Sequence, residues 1–224
     1  NRIILSSSAL VNNNKNTDSI NASGGFLVDS QSLLQADASS LAGDIESYGL
    51  IGFTGGINDN IITGTGILYI LGNTENTSSI TQADIYINNG TNFKTDASNL
   101  AISNYINNYG TLLLTDAADT VLEESVTGIG NIIKTGTGTI VMTGNNSYDG
   151  TTTITEGALQ IGAAGNIGTN NIMFDGGKLI ASTNTVIALN NRFIGTESND
   201  VSIDVLAGEL QLSTTAVIAQ ASTG

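Results

Sequence analysis

Short apolar stretches alternate with polar residues along most of this chain, and single glycines or small polar turns separate them. The alternation is clearest within residues 128–162, at 139–143, 152–155 and 158–161. A period of two predicts short strands that bury one face. Glycine, asparagine and aspartate fill the intervening positions, and these residues favour tight turns. The pattern therefore predicts closely spaced strands joined by sharp corners.

One signature, a glycine followed by apolar residues at alternate positions, recurs along the chain. A weak copy begins at Gly90, and clear copies begin at Gly66, Gly110, Gly138, Gly157, Gly177 and Gly208. Successive copies lie roughly 20 to 30 residues apart, a period typical of solenoids, so each copy predicts one coil. Residues 64–87 also align with 136–161, which predicts duplication of a two-coil unit.

The alternation also predicts which side chains face the interior of a solenoid. The inward positions are Leu112, Leu114, Ile140, Met142, Leu159, Ile161, Leu210 and Leu212, and the outward ones are Thr139, Val141, Ala158 and Gln160. Columns of like apolar side chains in stacked coils gain roughly 25 cal/mol per Å² removed from water. An antiparallel sandwich shows the same alternation, but it seldom repeats strand spacing and turn glycines in register.

A longer motif within 128–162 has a recognisable set of positions: Lys134, Gly136, Gly138, Ile140, Met142, Gly144, Asn146, Tyr148, Gly150, Thr152, Ile154, Gly157, Leu159 and Ile161. With these residues the stretch resembles the passenger-associated repeat of bacterial autotransporters, although Ile140 and Met142 stand where leucine is commoner. The resemblance implies an all-β, right-handed parallel β-helix of roughly ten rungs. We expect residues 1–224 to form a single β-helical segment of a passenger, with 128–162 as its repeat.

The resemblance also implies a location and an origin. The richness in asparagine and isoleucine is similar to the large surface cell antigens of the rickettsial type, including the outer membrane protein B class. It implies a bacterial cell-surface or extracellular segment, anchored at the outer membrane through the parent protein's own C-terminal β-barrel translocator or released by cleavage. The chain begins at Asn1, without a leader, and we expect it to be excised from a longer protein.

The charge and composition of the chain limit the classes of partner that it can bind. Six lysines and arginines stand against 20 aspartates and glutamates, a net charge of −14. So few cations disfavour nucleic acid, and anionic membrane surfaces repel such a chain. Cysteine and histidine are absent, which excludes disulfides and thiolate metal sites. We expect no cofactor, no metal, no small-molecule substrate and a monomer. The glycine-rich nonapeptide of calcium-binding solenoids is missing.

Candidate chemistry centres on the most acidic run, residues 116–125. It holds Asp116, Asp119, Glu123 and Glu124, and Lys94 or Lys134 would be the accompanying cation. Stacked carboxylates and a cation serve polysaccharide lyases and hydrolases on β-helices. Adjacent glutamates, however, point to opposite faces of a strand, and Lys134 belongs to the repeat. We therefore expect no catalytic residue and interpret these four acids as a possible contact loop.

Two further features carry predictions. Residues 30–43 space Leu33, Leu34, Ala38, Leu41 and Ala42 like a short amphipathic helix. The tyrosines form a possible binding stripe, except for Tyr148, which sits in a turn of the repeat and is interpreted as a structural plug: Tyr48, Tyr69, Tyr86, Tyr105, Tyr109 and Tyr148.

The sequence thus favours a rigid display rod of an adhesin or surface antigen involved in host-cell attachment and virulence. Its partner would be a host-cell surface protein or glycan. A polysaccharide lyase or hydrolase on the same fold and a purely structural surface-layer protein are the alternatives. A stacked cluster of carboxylates and a cation in a groove would favour the enzyme.

Overall fold

Strands, most of them two to four residues long, make up nearly all of the regular structure in the described residues. The computed structural model describes residues 2–5, 10–13, 20–189, 193–196, 201–212 and 218–220. Three single turns of 3₁₀-helix are the helical structure within these ranges, and no helix there is long and apolar enough to cross a membrane. The chain divides into two compact units, Asn1–Thr111 and Leu112–Gly224.

The first unit contains seventeen strands and two 3₁₀ turns. They are β1 (Ile3–Leu5), β2 (Leu10–Asn13), β3 (Ile20–Asn21), β4 (Phe26–Val28), β5 (Leu33–Ala36), η1 (Ala38–Ser40), β6 (Leu41–Ala42), β7 (Ile45–Ser47), β8 (Leu50–Phe53), β9 (Gly56–Asn58), β10 (Ile62–Thr63), β11 (Ile67–Ile70), β12 (Thr74–Asn76), β13 (Ile80–Gln82), β14 (Asp84–Ile87), β15 (Asn92–Thr95), η2 (Ala97–Asn99), β16 (Leu100–Ile102) and β17 (Tyr105–Asn108).

Parallel pairing stacks these strands into the faces of a solenoid. One face has the order β1-β4-β7-β10-β13-β16, a second β2-β5-β8-β11-β14-β17 and a third β9-β12-β15, while β3 pairs with β6. Phe26 pairs with Ile45, Ile45 with Ile62, and Ile62 with Ile80, so these coils take 17 to 19 residues, while those at either end of the unit take 20 to 23. Every strand pair with a defined register in this unit is parallel, as expected of stacked coils.

The second unit repeats the arrangement with coils of similar length. It contains β18 (Thr111–Leu114), β19 (Thr120–Leu122), β20 (Ser125–Thr127), β21 (Asn131–Lys134), β22 (Thr139–Met142), β23 (Thr152–Ile154), β24 (Ala158–Ile161), η3 (Ala164–Asn166), β25 (Ile172–Phe174), β26 (Lys178–Leu189), β27 (Phe193–Gly195), β28 (Ile203–Leu212) and β29 (Ile218–Gln220).

Two faces of this unit are long stacks. One has the order β19-β22-β24-β26-β28 and the other β18-β21-β23-β25-β27-β29. Ile132 pairs with Thr152, Thr152 with Ile172, and Ile172 with Phe193 in parallel register. On this face a coil therefore takes 20 to 21 residues, while Ile140 and its partner Leu159 on the other face are 19 residues apart. The prediction of an all-β, parallel solenoid is confirmed in each unit, and the antiparallel sandwich is wrong.

Apolar columns fill the interior of each unit. In the first, Leu34, Ile51, Leu68, Ile85 and Ile106 lie in register on successive strands and are all buried. In the second, six of the predicted inward side chains have no exposed surface: Leu112, Leu114, Ile140, Met142, Leu159 and Ile161.

Two positions depart from that prediction, and a third is not tested. Leu210 is only half-buried, and the side chain of Leu212 lies outside the described residues. Ala158, expected to face out, is buried at 3% exposure. Ala158 pairs with Thr139 on one side and Lys178 on the other, and the longer side chains of these two neighbours shield its single methyl group.

The glycine signature marks corners rather than one particular face. Gly138, Gly157 and Gly177 precede β22, β24 and β26, which are consecutive strands of one sheet, so one coil per copy is correct there. Gly66 precedes β11 and Gly90 precedes β15, however, and these strands belong to different sheets. The prediction of one coil per copy was therefore wrong between Gly66 and Gly90, because any corner accepts the same glycine.

The predicted helix over residues 30–43 does not form. Instead the segment contains β5, the 3₁₀ turn η1 and β6. Leu34, Ala36 and Ala38 are buried at alternate positions, and β5 pairs with β8 in parallel. Stacking on the next coil satisfies this period of two, which a single helical turn would break.

Candidate functional site

The passenger-like repeat forms a strand–corner–strand unit in two successive coils. β21 and β22 make the first coil, β23 and β24 the second, and they stack with Ile132 on Thr152 and Ile140 on Leu159. In the first unit Leu68 stacks on Ile85 in the same way. These pairs occupy equivalent positions in the sequence alignment of 64–87 with 136–161, so the duplicated two-coil unit has the same pairing in both copies.

Three glycines of the repeat lie directly against the main chain of the preceding coil. A Cβ atom at Gly138 would come within 2.2 Å of the carbonyl oxygen of Ala118. At Gly144 it would lie 2.1 Å from that of Glu124, and at Gly150 it would lie 2.0 Å from the Gly130 carbonyl. No other residue fits at these corners, because a side-chain carbon cannot approach a carbonyl oxygen so closely.

Lys134 occupies an inward position and is completely buried. Its neighbour in the next coil is Ile154, so a lysine stands in an otherwise apolar column. Its ammonium group donates to the carbonyl oxygens of Thr135, Gly136 and Glu156 at 2.8, 2.5 and 3.4 Å. The aliphatic stem thus fills the core while the charge binds the carbonyls of two adjacent corners.

Asn146 joins three coils through its side chain. Its Oδ1 accepts from the main-chain N–H of Val126 at 2.7 Å, and its Nδ2 donates to the carbonyl oxygen of Asn166 at 2.7 Å. Asn166 in turn donates from Nδ2 to the carbonyl oxygens of Thr143 and Gly144. Corner groups that lack a partner within the strand ladders are satisfied in this way.

Tyr148 lies wholly inside the solenoid. Its hydroxyl shares a hydrogen bond of 2.6 Å with the Oγ1 of Thr152. Burial raises the pKa of the Tyr148 phenol, while the hydrogen bonds with Thr152 and the Gly168 backbone lower it by less. A Cβ atom at Gly168 would lie 2.4 Å from the ring, so the aromatic ring closes the corner against the next coil.

The structure separates the four acids of the proposed contact loop. Asp116 is buried at 3% exposure. Asp119 is exposed, and its Oδ1 accepts from the main-chain N–H of Thr139 at 2.7 Å. The strand β19 then intervenes, followed by exposed Glu123 and half-buried Glu124. The four carboxylates therefore differ in exposure, and the structure does not gather them into one acidic cluster.

Neither candidate catalytic lysine is free to serve as a general acid or base. Lys94 pairs with Glu75 at 2.8 Å, and Lys134 binds main-chain carbonyls as described above. Over the described part of the chain, no group of three or more aspartates and glutamates is arranged to hold a metal ion.

A groove of about 710 Å³ runs across the first coils. Its charged lining consists of Arg2, Asp44 and Glu46. Glu46 pairs with Arg2 and accepts a hydrogen bond of 2.7 Å from the Tyr48 hydroxyl. The hydrogen bond from Tyr48, and then that from Arg2, lowers the pKa of Glu46, and the same carboxylate raises the pKa of Tyr48.

Four tyrosines of the predicted stripe lie on one outward surface of the first unit. We call this surface the tyrosine face; it lies on β8, β11, β14 and β17 and on the residues directly after β11 and β17, and it comprises Leu50, Tyr69, Leu71, Tyr86, Tyr105 and Tyr109. The rings of Tyr69 and Tyr86 stack with centroids 5.0 Å apart and planes inclined by 17°. Partial burial, and then the carboxylate of Asp84, raises the pKa of Tyr86. Tyr48 lies just before β8, at the edge of this surface.

Sequence reasoning missed an interior ladder of polar side chains in the first unit. Asn58 donates to the Oδ1 of Asn76 at 2.7 Å, and Asn76 donates to the Oγ1 of Thr95 at 3.1 Å. All three side chains are buried. The signal was present as polar residues 18 and 19 positions apart, the length of one coil in this unit.

Comparison with known proteins supports the passenger assignment. Residues 132–161 match the family described as Passenger-associated-transport-repeat. The chain is 38% identical over 73 residues, 31% of its length, to the "Adhesin BmaC autotransporter" of Brucella suis biovar 1 (strain 1330). It is 34% identical over 101 residues, 45% of its length, to the "Uncharacterized protein YuaQ" of Escherichia coli (strain K12). No solved structure matches the chain.

The matched regions are small parts of those relatives. They cover 2% of the Brucella protein and 7% of the Escherichia coli protein. The family match at 132–161 and the parallel solenoid around it both support an autotransporter passenger, which implies a cell-surface or extracellular location.

Proposed function

We propose that this chain is the rigid display segment of a bacterial surface adhesin and takes part in attachment to host cells. The observation that carries the proposal is the passenger repeat at 132–161, where buried Lys134, Asn146 and Tyr148 fix one coil upon the next. Side chains committed to internal contacts give a stiff support, and the outward faces remain available to a partner.

Two further observations favour attachment. One relative is named as an adhesin, and the tyrosine face exposes apolar and aromatic side chains to solvent. Exposed apolar patches of this kind mark interaction sites on soluble proteins. The partner would be a host-cell surface protein or glycan, and the parent protein would display the segment at the outer membrane through its translocator.

The test is binding of the purified chain to a panel of intact host cells, with a glycan array probed in parallel and EDTA as a control. Saturable binding that unlabelled chain displaces supports the adhesin. A folded, β-rich sample that binds neither cells nor glycans contradicts a contact role and leaves the segment as a spacer or a structural surface-layer element.

The groove beside Arg2 favours a polysaccharide lyase or hydrolase as the second candidate. Asp44, Glu46 and Arg2 line it together, which matches the residue types that such enzymes use. Both oxygens of Glu46 are engaged, however, by Arg2 and Tyr48. Incubation with neutral and uronate-containing polysaccharides decides the question: shorter products that disappear in Glu46→Gln favour the enzyme, and unchanged polymers favour the display rod.

A further inference from the structure

The tyrosine face has an unusual composition for the outward side of a sheet. The strands of a solenoid normally turn polar side chains to solvent, yet here Tyr105 is 50% exposed, Tyr109 45% and Leu50 38%. Tyrosine is enriched in protein–protein interfaces because it combines a large apolar ring with a hydrogen-bonding hydroxyl. The face therefore has the chemistry of an interface.

The ring geometry limits what can bind. Tyr69 and Tyr86 stack on each other, so the ring surfaces between them are covered. Beyond Tyr69 lies Gly52, its partner in the preceding coil. The space above Gly52 is taken by Leu71 and Gln35, whose carbon atoms lie 3.0 and 3.4 Å from its Cβ position. This pair thus offers edges and hydroxyls, whereas the stacking of a sugar ring requires an open aromatic surface.

The charge of the tyrosine face favours a positively charged partner. Strands β8, β11, β14 and β17 contain no lysine or arginine. Asp84 lies beside Tyr105, since its Oδ1 accepts from the Tyr105 N–H at 3.2 Å. The chain carries a net charge of −14, so a second copy would be repelled and a cationic partner attracted.

We propose that the tyrosine face binds an arginine-rich segment of a partner protein. One guanidinium group stacks on the half-exposed ring of Tyr105 and pairs with the carboxylate of Asp84, and a second stacks on the ring of Tyr109, four residues further along the chain. The leucines at positions 50 and 71 cover the aliphatic stems of the bound side chains. This inference rests on the proposed adhesin function and names the class of its partner as a basic polypeptide.

The experiment measures binding of the whole chain to a synthetic peptide of alternating arginine and serine by isothermal titration calorimetry. The comparison ligands are the same peptide with glutamate in place of arginine and a neutral hexasaccharide. We expect the arginine peptide alone to bind. Joint substitution Tyr105→Ser and Tyr109→Ser should weaken it about tenfold, and Asp84→Asn should weaken it as well.

The matched control is Ile57→Ser, since Ile57 is 50% exposed on β9, a strand of another sheet of the same unit. It leaves the net charge unchanged, as the tyrosine substitutions do, and should bind like the parent chain. Equal binding by the tyrosine variant would show attraction by the general negative field only and would overturn the proposal. Binding of the hexasaccharide in place of the peptide would overturn it in favour of a glycan.

A second readout uses the unaltered chain in case the double variant does not fold. Nitration of tyrosines, followed by mass spectrometry, should show protection of Tyr105 and Tyr109 by the arginine peptide and none by the glutamate peptide. Unprotected tyrosines contradict the site. Host-cell binding that persists in a folded tyrosine variant would refute this surface as the binding site and leave the adhesin function standing. If the unaltered chain does not bind host cells at all, the adhesin function itself is refuted.

Discussion

The side-chain carbonyl of Asn146 lies 2.7 Å from the main-chain nitrogen of Val126, a residue 20 positions earlier and one coil below. The Nδ2 of the same side chain donates to the Asn166 carbonyl in the coil above. One side chain therefore replaces two main-chain partners at a corner, where no strand ladder supplies them.

Substitution Asn146→Ala should lower the free energy of unfolding by about 2 to 3 kcal/mol, because it leaves the Val126 N–H and the Asn166 carbonyl without these partners. Urea titration followed by circular dichroism measures the change. Asn145→Ala is the matched control, since Asn145 is exposed, and it should stay within about 0.5 kcal/mol of the parent chain. Equal effects at the two positions would contradict the bridging role.

Lys134 provides a test of the buried ammonium group. Lys134→Ala removes a core stem and the donor to two corners, and it should cost about 3 kcal/mol or more. Lys94→Ala breaks a half-exposed ion pair with Glu75 and should cost less than about 1 kcal/mol. Thermal and urea denaturation of both variants provide the comparison. If Lys134→Ala is as mild as Lys94→Ala, the lysine does not hold the corners together.

Substitutions at two corner glycines distinguish the cost of a steric clash from the cost of a left-handed backbone conformation. Gly138→Ala would push a methyl group against the Ala118 carbonyl and should cost about 3 kcal/mol or more. Gly90 has φ +77° but nothing within 4 Å of its Cβ position, so Gly90→Ala should cost about 1 kcal/mol through the left-handed backbone alone. Measured stabilities in the reverse order would show that coil-to-coil contact is not what requires Gly138.

The buried phenol of Tyr148 should make the free energy of unfolding decrease at alkaline pH. Since burial raises the pKa of the folded-state phenol, the unfolded chain loses its proton first, near pH 10. The contribution of the neutral phenol is complete below that pH and is lost as pH rises through the folded-state pKa. Unfolding free energies measured from pH 8 to 11 should therefore fall on the alkaline side.

Tyr148→Phe should remove that part of the fall and cost about 1 to 3 kcal/mol at neutral pH, because the Thr152 hydroxyl and the Gly168 N–H lose their partner. Tyr105→Phe, at a half-exposed ring, serves as the control and should change the stability at neutral pH by less than about 0.5 kcal/mol. A Tyr148→Phe chain with the full alkaline fall would contradict this origin.

The sequence alone predicted features that depend on neighbours close in the chain. Alternation identified Ile140 and Leu159 as interior residues, and the glycines identified the corners. The prediction of a helix over 30–43 was wrong. The leucines at 33, 34 and 41 fit a helical period, but the stacking of Leu34 on Ile51 in the next coil determines the conformation. Pairing between coils is invisible to a window of a dozen residues.

The polar contacts of the site were harder to predict for the same reason. Asn58 and Asn76 are 18 residues apart, and only the coil length shows that they meet. The outward tyrosines were visible as a possible stripe, but the stacking of Tyr69 on Tyr86 depends on the register of β11 with β14. The separation of Asp116 from Asp119 likewise depends on which side chain the corner buries.

The most direct test of the whole account is the register of β22 with β24, because every corner, column and face described above follows from parallel stacking. Val141 and Gln160 are paired, half-exposed residues of these strands, and their Cα atoms lie about 4.8 Å apart. The chain contains no cysteine of its own. Val141→Cys with Gln160→Cys should form an intramolecular disulfide on mild oxidation, detected by mass spectrometry and a mobility shift in a non-reducing gel.

Thr139→Cys with Gln160→Cys is offset by two residues, which places the Cα atoms about 8 Å apart and beyond the reach of an unstrained disulfide. The parallel solenoid predicts rapid crosslinking of the first pair and little of the second. Equal crosslinking of both pairs, or crosslinking of the offset pair alone, would contradict the stacked coils and with them the display rod.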